Sequence, residues 1–232
     1  MKPLALPIWM CWLATIAFFG HHSTPCDATL ISRKVSLDWM LQTTGYAFAG
    51  TVAANDARVD PATGRVFTRV VFVNLALAYG KSSGDTIELR LLGGVLNGVA
   101  HNLDLQPRFN VGERYIVLSD STMGDPAGLF LPAVGGPLGV FQVLRAGPNG
   151  RLHVHDYWGR RVLGIRGDSI EVLGEIPGRP GRGGPQDLYF GVGPFRALPK
   201  HKEPGVWLTE RAMLQALAQE IRLAKLRPRA RR

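Results

Sequence analysis

Few residues in this chain have both the types and the spacing that chemistry requires. His153-Val154-His155-Asp156 is the most suggestive group. On a β-strand alternate residues share a face, so His153 and His155 project together, and a turn of the chain at Asp156 would bring in a carboxylate. Two imidazoles and a carboxylate can hold zinc with one position open, the arrangement of a metal-dependent hydrolase. No H-E-x-x-H helix accompanies them, and His101 and His201 lie far away in sequence. The competing reading is a solvated strand face.

Gly80-Lys81-Ser82 imitates the end of a phosphate loop, but Leu75 stands where the first glycine of that motif is required. Gly80-Lys81-Ser82-Ser83-Gly84 also spells G-x-S-x-G. A nucleophile elbow needs a helix after it, whereas a second strand is expected here, so the segment reads as a polar hairpin turn. Asp56, Asp60, Asp104 and Asp120 fall in or near turns, where aspartate usually serves the backbone. Trp39 and Trp158 are expected in the core or over the end of a barrel. Cys11 and Cys26 are the only thiols, which excludes a four-thiolate zinc site and a disulfide-dense scaffold. No cofactor is expected.

The elements that must position these groups are mostly strands. Twenty-eight glycines and 16 prolines in 232 residues announce many turns. Ser36 to Gly45 reads as a short helix, with Ser36 as its cap, Asp38 at its positive end and Gly45 closing it. Strands follow at Tyr46–Val52 (with a bend at Gly50), Val66–Leu75, Thr86–Leu91 and Gly112–Leu118. Further strands are expected at Val140–Leu144, Leu152–His155, Val162–Ile165 and Ile170–Leu173. Asp60-Pro61-Ala62-Thr63-Gly64 is a turn whose proline and glycine each set one dihedral. Residues 177–206 begin with a Pro/Gly-rich run that reads as a linker. A second helix starts after Thr209, with Leu214, Leu217, Ile221 and Ala224 on one face and a Leu208–Met213 staple at its start. Short strands without intervening helices predict a mainly β fold, a small antiparallel barrel over 29–176 with a helix at each end; a sandwich is the alternative.

Residues 1–28 do not read as part of that fold. Lys2 precedes an uncharged stretch from Pro3 to Gly20, and small residues suited to cleavage lie between Ser23 and Ala28. This is the pattern of a signal peptide, so a periplasmic or extracellular protein is expected, with no transmembrane span in its mature form. Pro25 before Cys26 argues against a lipid-anchored cysteine.

The net charge of +9 is uneven. Residues 30–145 carry ten basic and nine acidic side chains, whereas residues 146–232 carry sixteen and eight. A basic C-terminal part favours an anionic partner, and outside the cytoplasm that means a cell-surface component such as anionic lipid or acidic glycan. The tail lacks interleaved aromatics, so nucleic acid is not the expected target.

The order "YAFAGTV", "DPATGRVFTRVVFVNLALAYGKSSGDTIELRLLGG", "FNVGERYIVL" and "GVFQV" resembles a group of uncharacterised exported bacterial proteins. These segments are also similar to the oligonucleotide/oligosaccharide-binding (OB) barrel of netrin-like domains and tissue inhibitors of metalloproteinases. The resemblance spans about residues 30–145 and implies an OB-like β-barrel. It also implies that the closing "LTERAMLQALAQEIRLA" helix packs on that barrel. The Cys-x-Cys pattern and disulfides of the inhibitors are absent, so inhibition of an exported protease follows by fold analogy alone. The function expected is an exported, non-enzymatic binding module for a protein or an anionic surface. A metal-dependent hydrolase built on His153, His155 and Asp156 is the alternative from another class.

Overall fold

The computed structural model describes residues 35–82, 84–102, 106–120, 133–146, 151–173, 195–198 and 208–227. Residues 1–28, read above as a signal peptide, lie outside these residues with both cysteines, Asp104 and His201, as does most of the 177–206 stretch.

Helix α1 (Leu37–Thr43) begins where the Ser36 hydroxyl accepts the Trp39 N–H at 3.2 Å. Gly45 does not close it. Thr44 does, donating both its N–H and its hydroxyl to the Met40 carbonyl, so no left-handed residue is needed. Strands β1 (Tyr46–Val59) and β2 (Val66–Tyr79) form a long hairpin around the Asp60–Gly64 turn, where Asp60 accepts the Ala62 N–H and Gly64 takes φ +67°. Next come β3 (Ile87–Leu96), β4 (Val99–Asn102) and β5 (Arg114–Ser119). A 3-10 turn at Gly136–Gly139 leads into β6 (Val140–Ala146), β7 (Arg151–Asp156), β8 (Arg161–Arg166) and β9 (Ser169–Leu173). Strand β10 (Phe195–Leu198) and helix α2 (Glu210–Leu226) complete the described chain.

The ten strands form one sheet in the order β10-β9-β8-β7-β6-β5-β1-β2-β3-β4, antiparallel except for the β9–β10 pair. Its two ends, β10 and β4, are not paired with each other, so the sheet is not closed. It nevertheless bends. Register shifts flank Gly50 on β1, as expected of a bulge there. On β3, Gly93 and Gly94 take φ +88° and +139°, and the Thr68 hydroxyl donates to the Gly93 carbonyl at 2.7 Å. Two elements were absent from the sequence reading. Strand β4 follows Asn97-Gly98, both left-handed, the signature of a two-residue hairpin. Strand β10 arises within the stretch read as linker.

The period of two sorts the strands into two cores on opposite faces. Ala47, Ala49, Ile116, Leu118, Phe141, Val154, Val162, Ile170 and Val172 face both helices. Phe48, Val52, Val70, Phe72, Leu89, Phe109, Tyr115 and Val117 form the other cluster, with Phe48, Phe72, Phe109 and Tyr115 in a chain of edge-to-face rings 5.0–5.3 Å apart. Each fully buried Val, Leu, Ile or Phe among them contributes about 1.5–3 kcal/mol.

Helix α2 lies on α1 and on β1, β2, β7 and β8 through Met213, Leu214, Leu217, Ile221 and Ala224. Thr209 caps it, accepting the Ala212 N–H. A forked ion pair fastens its first turn: Arg114 Nε and Nη2 donate to the two Glu210 oxygens, each at 2.7 Å, while Nη1 reaches the Asn74 carbonyl at 2.9 Å.

Candidate functional site

The β7–β8 hairpin holds the group singled out in the sequence. His153 and His155 do share a face of β7, opposite Leu144 and Gln142 of β6. They are buried, not solvated as the competing reading had it. Gly159 O lies 3.0 Å from His155 Nδ1. A carbonyl only accepts, so Nδ1 is the donor of that bond, and the ring's second nitrogen is Nε2. That nitrogen is buried and has no hydrogen-bond partner among the described residues.

Asp156 does not join the histidines, because its oxygens build the turn. Oδ1 accepts the N–H groups of Trp158 (3.0 Å) and Arg160 (2.8 Å), and Oδ2 accepts Arg160 Nε at 2.6 Å. The Asp156 side chain is 0% exposed and that of Arg160 is 9% exposed, so this is a buried ion pair. Arg160 lies against two rings that meet edge-to-face, its guanidinium carbon 5.2 Å from both the Trp158 and the Phe195 ring centroids. Burial raises the Asp156 carboxyl above its ordinary value, outweighing Arg160 and the two backbone donors that oppose it. Among the described residues, no three His, Cys, Asp or Glu side chains gather to hold a metal.

The other candidates are also tied into structure. Ser82 Oγ donates to the Gly84 carbonyl within the β2–β3 turn. Asp56 pairs with Arg58 on its own strand and with Arg69 across the β1–β2 hairpin. His101 is exposed on β4, remote in the sheet order from β7.

Two groups escaped the sequence reading. The first is a polar knot ahead of β5. Glu113 Oε2 accepts Tyr115 Oη, Gln142 Nε2 (2.7 Å) and Asn110 Nδ2 (3.1 Å). Burial and that carboxylate raise the Tyr115 phenol above its ordinary value. Nothing in a single strand announces the knot, since Gln142 arrives from β6.

The second is the outward side of α2. Arg211 and Arg222 are exposed and carry no ion pair among the described residues. Eleven residues apart, they point in nearly the same direction about 16 Å from each other. Two further cations are partly used to hold the helices together: Lys225 Nζ donates to the Gln42 carbonyl at 3.3 Å, and Arg227 pairs with Asp38 at 3.0 Å. Leu223 and Leu226 stand among these cations, 42% and 81% exposed. This feature was legible, because both leucines fall off the Leu214/Leu217/Ile221/Ala224 stripe.

Comparison with protein-family models, curated proteins and solved structures found no match.

Proposed function

We propose that the protein is an exported, non-enzymatic binding module whose C-terminal helix faces an anionic partner. The observation that carries this reading is Arg211 and Arg222, without an ion pair among the described residues, on the exposed side of a helix whose other side is packed. Residues 146–232 carry eight more basic than acidic residues, the same sign of charge along that part of the sequence. The non-enzymatic part is supported by two groups that could have done chemistry: Asp156 is taken up by Arg160 and Ser82 by its own turn. Export is supported by the leader pattern at 1–28.

The framework in this proposal is an OB-type barrel left open at one seam. Supporting it are the bulge at Gly50, the pairing of β1 with both β2 and β5, and the folding of β3 toward Thr68 at Gly93. The netrin-like resemblance of the 30–145 motifs agrees.

Binding of the full chain to heparin, a soluble polyanion, tests the function. Affinity is expected to fall steeply as salt rises and to be lost in Arg211→Glu/Arg222→Glu. Unchanged binding by that variant, or none by the native protein, would overturn the proposal.

A further inference from the structure

The last turn of α2 is built unlike the rest of the helix. From Arg222 to Arg227 only Ala224 is buried. Leu223 and Leu226, three residues apart, are neighbours on the helix surface. At 81% exposure Leu226 is the most exposed large apolar side chain among the described residues. Arg222, Lys225 and Arg227 surround the two leucines, and the sequence runs on into Pro228-Arg229-Ala230-Arg231-Arg232.

We infer that this turn is a wedge that docks on a bilayer of anionic phospholipid. The inference rests on the reading of α2 as the anion-facing element and adds the identity of the surface. A soluble polyanion or an acidic glycan satisfies the cations but leaves two leucines in water. An anionic bilayer offers headgroups to the cations and an acyl boundary to the leucines, the combination that interfacial helices use. The contact lies on the membrane and does not cross it: no helix among the described residues is long and apolar enough to span. Neither leucine belongs to the packed face of α2, which is Met213, Leu214, Leu217, Ile221 and Ala224.

The test is co-sedimentation of the full chain with vesicles of phosphatidylcholine alone and of equal parts phosphatidylcholine and phosphatidylglycerol, with heparin binding measured alongside. The native protein is expected on the mixed vesicles and not on the neutral ones. Leu223→Ser/Leu226→Ser is expected to bind the mixed vesicles about tenfold more weakly, while holding heparin as before. Leu226→Ser alone, at the most exposed position, should show part of the same loss. Mixed-vesicle binding unchanged in the double variant would overturn the wedge and leave the anionic reading standing. A native protein that binds neither heparin nor mixed vesicles would overturn both.

Discussion

Removing Asp156 strands a buried cation, and the size of that effect can be worked from the contacts around it. In Asp156→Ala the Arg160 guanidinium keeps its place against Trp158 and Phe195, 9% exposed, with no carboxylate beside it. Its Nη1 already lacks a partner among the described residues. Breaking a buried pair from one side costs about 3–5 kcal/mol. The N–H groups of Trp158 and Arg160 lose their acceptor as well, adding up to about 1 kcal/mol each where water does not replace it. Asp156→Ala should therefore lower unfolding free energy by about 4 kcal/mol, read from urea denaturation followed by tryptophan fluorescence. Asp156→Ala/Arg160→Met removes the stranded charge and keeps an apolar chain against both rings. It should recover most of the loss and lie about 1–2 kcal/mol below the native protein, the residue being the turn N–H groups. A double variant no more stable than Asp156→Ala would refute the reasoning, since the cost would then belong to the turn and not to the charge.

Three other perturbations follow from the same geometry. Asp156→Asn should alter the pH dependence of stability. With its folded value raised, this carboxyl binds its proton more tightly in the folded state; its contribution is present below the ordinary value and is lost as pH rises through the raised one. The variant's stability should accordingly decline less than the native protein's as pH is raised from about 4 toward neutrality, as urea midpoints would show. Gly50→Val places a Cβ 3.0 Å from Phe72 Cβ and 3.1 Å from Leu75 Cδ2, so the bulge must give way. A loss of about 2 kcal/mol is expected, and an unchanged melting temperature would count against the bulge. Arg114→Ala should cost about 2–3 kcal/mol by unhooking α2 and leaving Glu210 unpaired. Pairing it with Glu210→Gln should recover part of that in a double-mutant cycle.

What the sequence determined by itself was whatever depends on neighbours along the chain. Alternation placed β1, β2, β3 and β5 to β9, Ser36 and Thr209 announced the helix starts, and the apolar stripe on α2 named the residues that are buried. These are short-range effects of pleat, cap and helical period, and they need no tertiary information. Tertiary structure decided how far the sheet extends and whether it closes, because those depend on pairings between distant strands. Strand β10, four residues long, is a strand only because β9 lies beside it. The same holds for the candidate site. Sequence could set His153 and His155 on one face, but Asp156 had two claimants, the histidines behind it and Arg160 ahead of it. The turn decided for Arg160, since its guanidinium and the N–H groups of Trp158 and Arg160 satisfy a buried carboxylate at once. The exposed leucines of α2 gained their meaning in the same way: the period showed them off the packed stripe, and the packed fold left them exposed beside Arg222, Lys225 and Arg227.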